Sequence, residues 1–130
     1  MGAGVTRRML LGYRDGAKVF SGTVLTDPTV PNPGLLQPLL DAGFEARHAG
    51  RAWFTVYTYV IGFTIEEQAV YPVPGQQDER YAALAARREQ LGADAATKAE
   101  QWAFTGDVNE RFADGLAILM GGIRCWTGKP

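Results

Sequence analysis

The stretch EARHAGRAWFTVYTYVIGFTIEEQA, residues 45–69, decides the fold, because its composition and its length point to different structures. Its threonine, valine, tyrosine and isoleucine content favours a β-strand. A strand of about 20 residues would, however, be several times longer than the usual 5 or 6, whereas a helix of that length is ordinary. We therefore predict one long helix.

This predicted helix is apolar on two sides, and a helix of that kind must be covered on both. A chain of 130 residues has little material with which to surround it. We therefore expect a second subunit to cover one side, which makes the protein a homodimer. The first side consists of Ala49, Trp53, Val56, Val60 and Phe63, and the second of Phe54, Tyr57, Ile61 and Ile65.

The chain begins with a helix that is broken early. Val5 to Tyr13 contains good helix formers, and Asp15 is a plausible N-cap for a second, short helix that ends near Gly22. One unbroken helix would cost less than two. We interpret the break as a moving part.

Between the break and the long helix, a proline-rich loop spans 25–33. A short helix is predicted over 34–42, with Gly43 as its stop. Its leucines fall on one side of the helix and are Leu35, Leu36, Leu39 and Leu40.

Helices are also predicted after the long one. Beyond a loop at 72–77, Asp78 caps one helix and 95–104 forms another. Asp107 and Glu110 have the spacing of a capping box for the last helix. Its apolar stripe is Phe112, Leu116, Leu119, Met120 and Ile123. The predicted fold class is an all-α helical bundle.

Composition excludes several functions. The net charge of −1 offers no basic surface for nucleic acid or for an anionic membrane. The longest uncharged run, 52–65, is shorter than the roughly 20 apolar residues of a membrane span. A single cysteine, Cys125, forms no internal disulfide, so a reducing cytoplasm is the expected location.

No set of catalytic residues emerges. His48 is the only histidine, and we interpret it as a residue of a polar helix face. Glu66 and Glu67 point about 100° apart on a helix, so they cannot act on one bond, and they are interpreted as solvated charges. Cys125 is interpreted as a small core residue. The aromatic residues could line a cavity for a flat apolar ligand or could fill the core or an interface.

The stretch RRMLLGYRDGAKVFSGT, residues 7–23, resembles a segment of TetR-type repressors in which an Arg-Arg-x-Leu-Leu run leads into Tyr/His-Arg-Asp-Gly-Ala-Lys-Val. The resemblance continues through DAGF (41–44), IGFTIEEQ (61–68) and FADGL (112–116), and so covers nearly the whole chain. It implies that 1–130 is a ligand-binding and dimerisation domain, paired through helices at 45–69 and 107–126. DNA would be contacted only through an N-terminal helix-turn-helix head, which these residues do not include.

The resemblance also implies site residues. Phe20 stands where tetracycline-responsive members have a magnesium-binding histidine, and Thr23 matches a family threonine. Leu35 replaces a ligand-contacting glutamine, and Thr6 replaces an aromatic residue. Glu66 matches a glutamate that reaches the metal from the partner subunit. We therefore expect neither metal nor other cofactor, and a small apolar or aromatic effector held by Phe20, Leu35, Leu39, Trp53, Phe54 and Tyr57.

A mechanism follows from this resemblance. An effector packed against Phe20 and Thr23 would shift the short helix, and the joint at Asp15 and Gly16 would swing the helix before it. Two alternatives stay open. The first is a dimerisation module without a head or a ligand, and the second is a small hydrolase or isomerase that depends on Glu66.

Overall fold

A computed structural model describes residues 2–22, 26, 33–90 and 94–127. These residues form seven α-helices and one turn of 3-10 helix, and apart from an isolated bridge between Val73 and Gln76 they contain no β-structure. The prediction of an all-α bundle is confirmed. None of the described helices has the length and apolarity needed to cross a membrane. The helices are α1 (Ala3–Leu11), α2 (Gly16–Phe20), α3 (Gln37–Asp41), α4 (Ala46–Val70), α5 (Glu79–Glu89), α6 (Ala95–Phe104) and α7 (Val108–Thr127), and the 3-10 turn is Pro33–Leu35.

Helix α4 is the predicted long helix, and one of its sides packs against α1 and α2. Ile61 forms a buried core with Leu10 of α1 and Ala17 of α2. Around this core lie three partly buried side chains, Phe20, Tyr57 and Ile65. Most of the second apolar side of α4 is thus covered by the same chain, although Phe54 is 38% exposed.

The other apolar side of α4 packs against α7. The ring centroid of Phe112 lies 5.6 Å from that of Tyr59 and 5.2 Å from that of Phe63. The Tyr59 hydroxyl donates to the backbone carbonyl of Phe112 over 3.0 Å. Burial raises the pKa of Tyr59, Arg7 opposes that rise and Asp114 adds to it.

The expectation that a second subunit must cover an apolar face of α4 is therefore wrong in its reasoning. The part of α4 left to solvent carries mostly small and polar residues, among them Thr55, Thr58 and Gly62, with Phe54 as an exposed apolar residue. Both threonine hydroxyls donate to carbonyls of their own helix. Helices α1 and α2 fold back over the second apolar side of α4. The periodicity of α4 alone does not predict which elements pack there.

Several local predictions also need correction. The first helix is Ala3–Leu11 and not 5–13. The helix predicted over 34–42 is split into the 3-10 turn and the five residues of α3. Leu35 and Leu40 are exposed, so the four leucines do not form one buried side. Gly43 does stop the segment, with φ of 82°. The loop predicted over 25–33 lies mostly outside the described residues.

Two polar or small residues lie where the sequence interpretation did not put them. Cys125 is exposed and is not a core residue. His48 packs its ring edge against Trp126 of α7, with centroids 4.5 Å apart, so it belongs to the α4–α7 contact and not to a free polar face. The single histidine is thereby given a packing role.

The late helices begin at the predicted caps. The carboxylate of Asp78 accepts from the Arg80 amide, and hydrogen bonds from the Arg80 side chain and backbone lower the pKa of Asp78 to about 2. Asp94 accepts from two amides at the start of α6, and Asp107 does the same for α7. Helix α6, all of which is described, has no buried residue, so it lies on the outside of the bundle.

One buried ion pair joins α1, α4 and α7. The Arg7 guanidinium donates to both carboxylate oxygens of Glu67, over 2.7 and 2.6 Å, and to the Asn109 side-chain oxygen over 2.8 Å. It also lies 4.9 Å from the ring centroid of Phe112, within reach of a cation–π interaction. The side chains of Arg7 and Glu67 are 7% and 8% exposed, so neither charge has water as an alternative partner. The interpretation of Glu67 as a solvated charge is wrong.

The contact between α4 and α7 predicts the effect of Gly115→Ala. A Cβ at Gly115 would overlap the Tyr59 side chain, which lies across that position. We expect a loss of about 1–3 kcal/mol in the free energy of unfolding, the usual cost of overpacking. Urea unfolding measures it. Gly50→Ala on α4, where nothing lies within 4 Å, is the control and should not destabilise the protein. Equal stability of the two variants would contradict this packing.

The ion pair predicts a double-mutant cycle. Arg7→Met leaves the Glu67 carboxylate buried without its partner and should cost about 3–5 kcal/mol. Replacing both residues by Met removes the stranded charge, so the double variant should regain much of that loss. Unfolding in guanidinium chloride gives the free energy of unfolding of the wild type, the two single variants and the double variant. Arg80→Met, which breaks the exposed pair with Asp78, should cost far less. Additive effects of the two buried substitutions would show that the pair is not coupled.

Candidate functional site

The predicted break between the first two helices is present and is a tight turn. Asp15 has φ of 55°, in the left-handed region, and Gly16 follows it. A Cβ at Gly16 would collide with the backbone carbonyl of Leu10, so only glycine allows α2 to approach α1 this closely. Asp15 precedes α2 but makes no side-chain cap. Its carboxylate instead lies 3.6 Å from the Lys18 ammonium.

A single side chain from α4 satisfies both helix ends at this turn. The Nε2 group of Gln68 donates to the carbonyls of Leu10 and Tyr13, over 3.2 and 2.9 Å. Its Oε1 accepts from the backbone amide of Ala17 over 3.1 Å. The two carbonyls also accept from the backbone amides of Tyr13 and Gly16, over 3.3 and 3.0 Å, so the buried Gln68 amide reinforces the turn and pairs the Ala17 amide. Gln68 therefore links the end of α1 to the start of α2.

Four of the predicted site residues come together beside this turn. The ring of Tyr57 lies 5.4 Å from that of Trp53, 6.0 Å from that of Phe54 and 6.5 Å from that of Phe20, measured between centroids. Trp53 and Tyr57 are nearly parallel, at 9°. We call Phe20, Trp53, Phe54 and Tyr57 the aromatic cluster. It joins the last residue of α2 to the middle of α4.

The remaining predicted residues are less closely grouped. Thr6 is half-buried on α1, and its hydroxyl donates to the Gly2 carbonyl over 3.4 Å. Leu35 is exposed in the 3-10 turn, and Leu39 is half-buried on α3, which contacts α4. Glu66 is exposed near the end of α4. Thr23 lies outside the described residues.

An apolar cleft of about 420 Å³ opens between α1 and α2. Of the predicted site residues that the structure describes, only Phe20 lines it. A volume of this size lies within the range of small-ligand sites, roughly 300–1,000 Å³. The residues lining the cleft are Met9, Leu10, Tyr13, Arg14, Gly16, Val19 and Phe20. The cleft follows the turn itself, so its shape depends on the angle between the two helices.

A second cleft, of about 370 Å³, lies on the other side of the turn. It is bounded by the end of α1, the end of α4, the loop that follows α4 and the start of α7. Its lining is Leu11, Tyr13, Glu67, Gln68, Tyr71, Pro72, Pro74, Gly75 and Val108. Tyr13 lines both clefts, so the turn is flanked by open space on two sides.

No metal site is found in the part of the chain that the structure describes, since no three histidine, cysteine, aspartate or glutamate side chains form a group able to hold an ion.

The sequence interpretation missed the polar residues that fix the site. Gln68 lies seven residues after Ile61, two helical turns away, so the period of α4 already puts it on the side that faces α1 and α2. Glu67 lies four residues after Phe63, on the side that faces α7. Arg7 is a positive charge in an apolar helix. Periodicity could have placed all three, but not their partners.

Comparison with known proteins gives the family. The family model described as tetracyclin repressor-like, C-terminal domain, matches residues 3–126. Tetracycline repressor protein class C of Escherichia coli is 30% identical over 118 residues, which cover 90% of this chain and 52% of that protein. Tetracycline repressor protein class A from transposon 1721, also of Escherichia coli, is 39% identical over 64 residues, which cover 48% of this chain and 30% of that protein. No solved structure matches significantly.

The chain thus spans about half the length of the first of these relatives, and less of the second. The match to the family model runs from the start of α1 almost to the end of α7, so it includes the turn, the aromatic cluster and both long helices. The resemblance found in the sequence is confirmed. The chain belongs to the tetracycline-repressor-like C-terminal domains and is a domain of a transcriptional regulator, not an enzyme.

Proposed function

We propose that this chain is the effector-binding and dimerisation domain of a repressor that releases DNA when a small apolar or aromatic molecule binds. The observation that carries the proposal is the aromatic cluster, which joins α2 to α4 within five residues of the turn at Asp15 and Gly16. A ligand among these rings contacts the two elements whose relative position the turn controls.

The chemistry of the cluster supports an uncharged aromatic ligand. Its four members carry rings and no formal charge, and offset or stacked rings attract one another. Phe20 stands where the resemblance places a magnesium-binding histidine, and its side chain has no atom that can bind a metal. The effector is therefore expected to bind without metal.

The turn supports a conformational readout. Movement of Phe20 moves a helix of only five residues, and the turn passes that displacement to α1. In a longer protein, α1 would follow a DNA-reading head. Paired helix-turn-helix heads read half-sites about 34 Å apart, so a change of a few ångströms in their separation weakens binding. The coupling required is about 1–3 kcal/mol.

The outer surface of α7 supports pairing with a second copy. Ile118 is 75% exposed, and Gly121, Gly122 and Cys125, which follow it on α7, are exposed as well. Small residues let a second helix approach closely. Thr58 and Gly62 of α4 are also exposed and small, so a second helix could approach α4 closely as well. We infer a homodimer in which α4 and α7 of each copy meet.

The ligand proposal predicts the behaviour of a protein with Trp53 as its sole tryptophan, made by Trp102→Phe and Trp126→Phe. Titration with 2-naphthol should quench its fluorescence to saturation. Phe20→Leu keeps an apolar side chain but removes the ring, so it should weaken binding about tenfold, as expected for the loss of roughly 1.5 kcal/mol of ring contact. Phe20→Asp should abolish binding.

Val19→Asp is the control, because Val19 is exposed on the same helix but lines the cleft between α1 and α2 and is not in the aromatic cluster. We expect it to bind 2-naphthol like the parent. Loss of binding in Val19→Asp, with Phe20→Leu unaffected, would move the ligand out of the cluster and into the cleft.

The pairing proposal predicts the effect of Ile118→Arg. Because this substitution puts a charge in the inferred interface, sedimentation equilibrium should show a monomer. Met120→Arg is a matched control, since residues two apart on a helix point about 160° apart. It should remain a dimer. If the parent protein sediments as a monomer, or if only Met120→Arg dissociates, the inferred interface is incorrect. If the parent protein is a dimer but does not bind 2-naphthol, the alternative of a dimerisation module without its own ligand is favoured.

A further inference from the structure

We propose that Gln68 is the positioning residue of the turn: its side-chain amide fixes the angle between α1 and α2 in the effector-free protein, and effector binding works by breaking its bond to Ala17. This inference rests on the proposed function for its second part. Its first part concerns the unliganded chain alone.

Three hydrogen bonds meet on this one amide. Two of them reach the carbonyls of Leu10 in α1 and of Tyr13 in the turn, which also accept from the Tyr13 and Gly16 amides, and one holds the Ala17 amide at the start of α2. Gln68 is 5% exposed and Ala17 is 0% exposed. The buried Ala17 amide would be costly to leave unpaired.

The amide also couples the two helices geometrically. Its oxygen and nitrogen belong to one rigid planar group, so the acceptor cannot follow Ala17 without turning the donor away from Leu10 and Tyr13. The Ala17 bond is 3.1 Å long, near the upper end of the usual range of about 2.7–3.2 Å for N–H···O bonds. A shift or rotation of α2 that takes the bond out of this range weakens it.

The two helices differ in how strongly α4 holds them. Helix α1 is bound to α4 at Arg7, through Glu67, and again at its C-terminal end through Gln68. Helix α2 has five residues, too few to be stable in water without tertiary contacts. A hydrogen bond from the Ala17 amide to Gln68 ties the start of α2 to α4. Helix α2 is thus the element that a ligand displaces first.

The substitution Gln68→Glu tests the positioning role, because a carboxyl group has the same shape. Its neutral form still donates one hydrogen and accepts another, whereas the anion only accepts. The anion would face the carbonyl oxygens of Leu10 and Tyr13, so burial and those dipoles raise the pKa of the new carboxyl. One donor bond to these carbonyls is then present at low pH and is lost as pH rises through that raised pKa, whereas both forms accept from the Ala17 amide. The other ionisable groups lining this end of the fold are Glu67, held by Arg7, with Tyr13 and Tyr71.

The experiment is amide hydrogen exchange on the 130-residue chain, with the Ala17 amide as the probe and Val60 in the centre of α4 as the reference. At pH 4.5, each variant is compared with wild type at the same pH. Gln68→Glu should exchange at Ala17 within about twofold of wild type, because its carboxyl group still accepts from that amide and still donates to a carbonyl.

Gln68→Met removes both donor and acceptor and should exchange at Ala17 about tenfold faster than wild type, the order expected for one lost hydrogen bond. Gln76→Glu makes the same substitution at an exposed position and should behave like wild type. Wild-type exchange at Ala17 in Gln68→Met overturns the inference. So does acceleration in Gln68→Glu equal to that in Gln68→Met, or equal acceleration at Val60, which would show a general loss of stability.

Addition of 2-naphthol separates this inference from the proposed function. Saturating ligand should raise Ala17 exchange in the wild type while Val60 stays protected. If 2-naphthol binds and Ala17 remains protected, the release step is wrong and the proposed ligand site stands. If no 2-naphthol binds, the proposed ligand fails, and the release step fails with it. The comparison of Gln68→Met with Gln68→Glu still decides whether Gln68 positions the turn.

Discussion

Two adjacent side chains near the end of α4 hold the rest of the structure together, because consecutive residues of a helix point about 100° apart. Glu67 faces α1 and α7 and binds the buried guanidinium of Arg7. Gln68 faces the turn and binds the ends of both α1 and α2. These two consecutive residues thus place one polar contact of α4 in the helical bundle and the other at the turn between α1 and α2. Every element with a proposed role is attached to this point.

The candidate site combines a firmly packed helix, α4, with a short helix, α2, that can be displaced. Its floor is α4, which has apolar contacts on two sides, and the aromatic cluster belongs mostly to this helix. Its movable part is α2, which is short and has Phe20 at its end. Gly16 allows α2 to lie against the backbone of α1, so a small displacement of one helix is felt by the other. A sensor needs this combination, because a ligand shifts an equilibrium only through contacts that differ between two states.

The dimer was first inferred from the two apolar sides of α4, but it is now inferred from the residues that the fold leaves exposed on α7 and α4. The second apolar side of α4 is occupied by α1 and α2, so no subunit is needed there. What remains exposed is the row around Ile118 on α7, together with Thr58 and Gly62 of α4. These residues are small or weakly polar, which suits close contact between helices. The sequence led to the same partner from an incorrect covering argument.

The amino-acid sequence by itself determined the helical class, the length of α4, the caps at Asp78 and Asp107 and the break before Gly16, since these depend on local propensity, period and turn chemistry. It also placed the rings of the aromatic cluster on α4 and α2. Only the tertiary structure decided that Arg7 and Glu67 form a buried pair, that Gln68 joins two helix ends and that Cys125 is exposed. Those facts depend on contacts between residues up to 102 positions apart, and periodicity assigns a side to a residue without naming what lies against it.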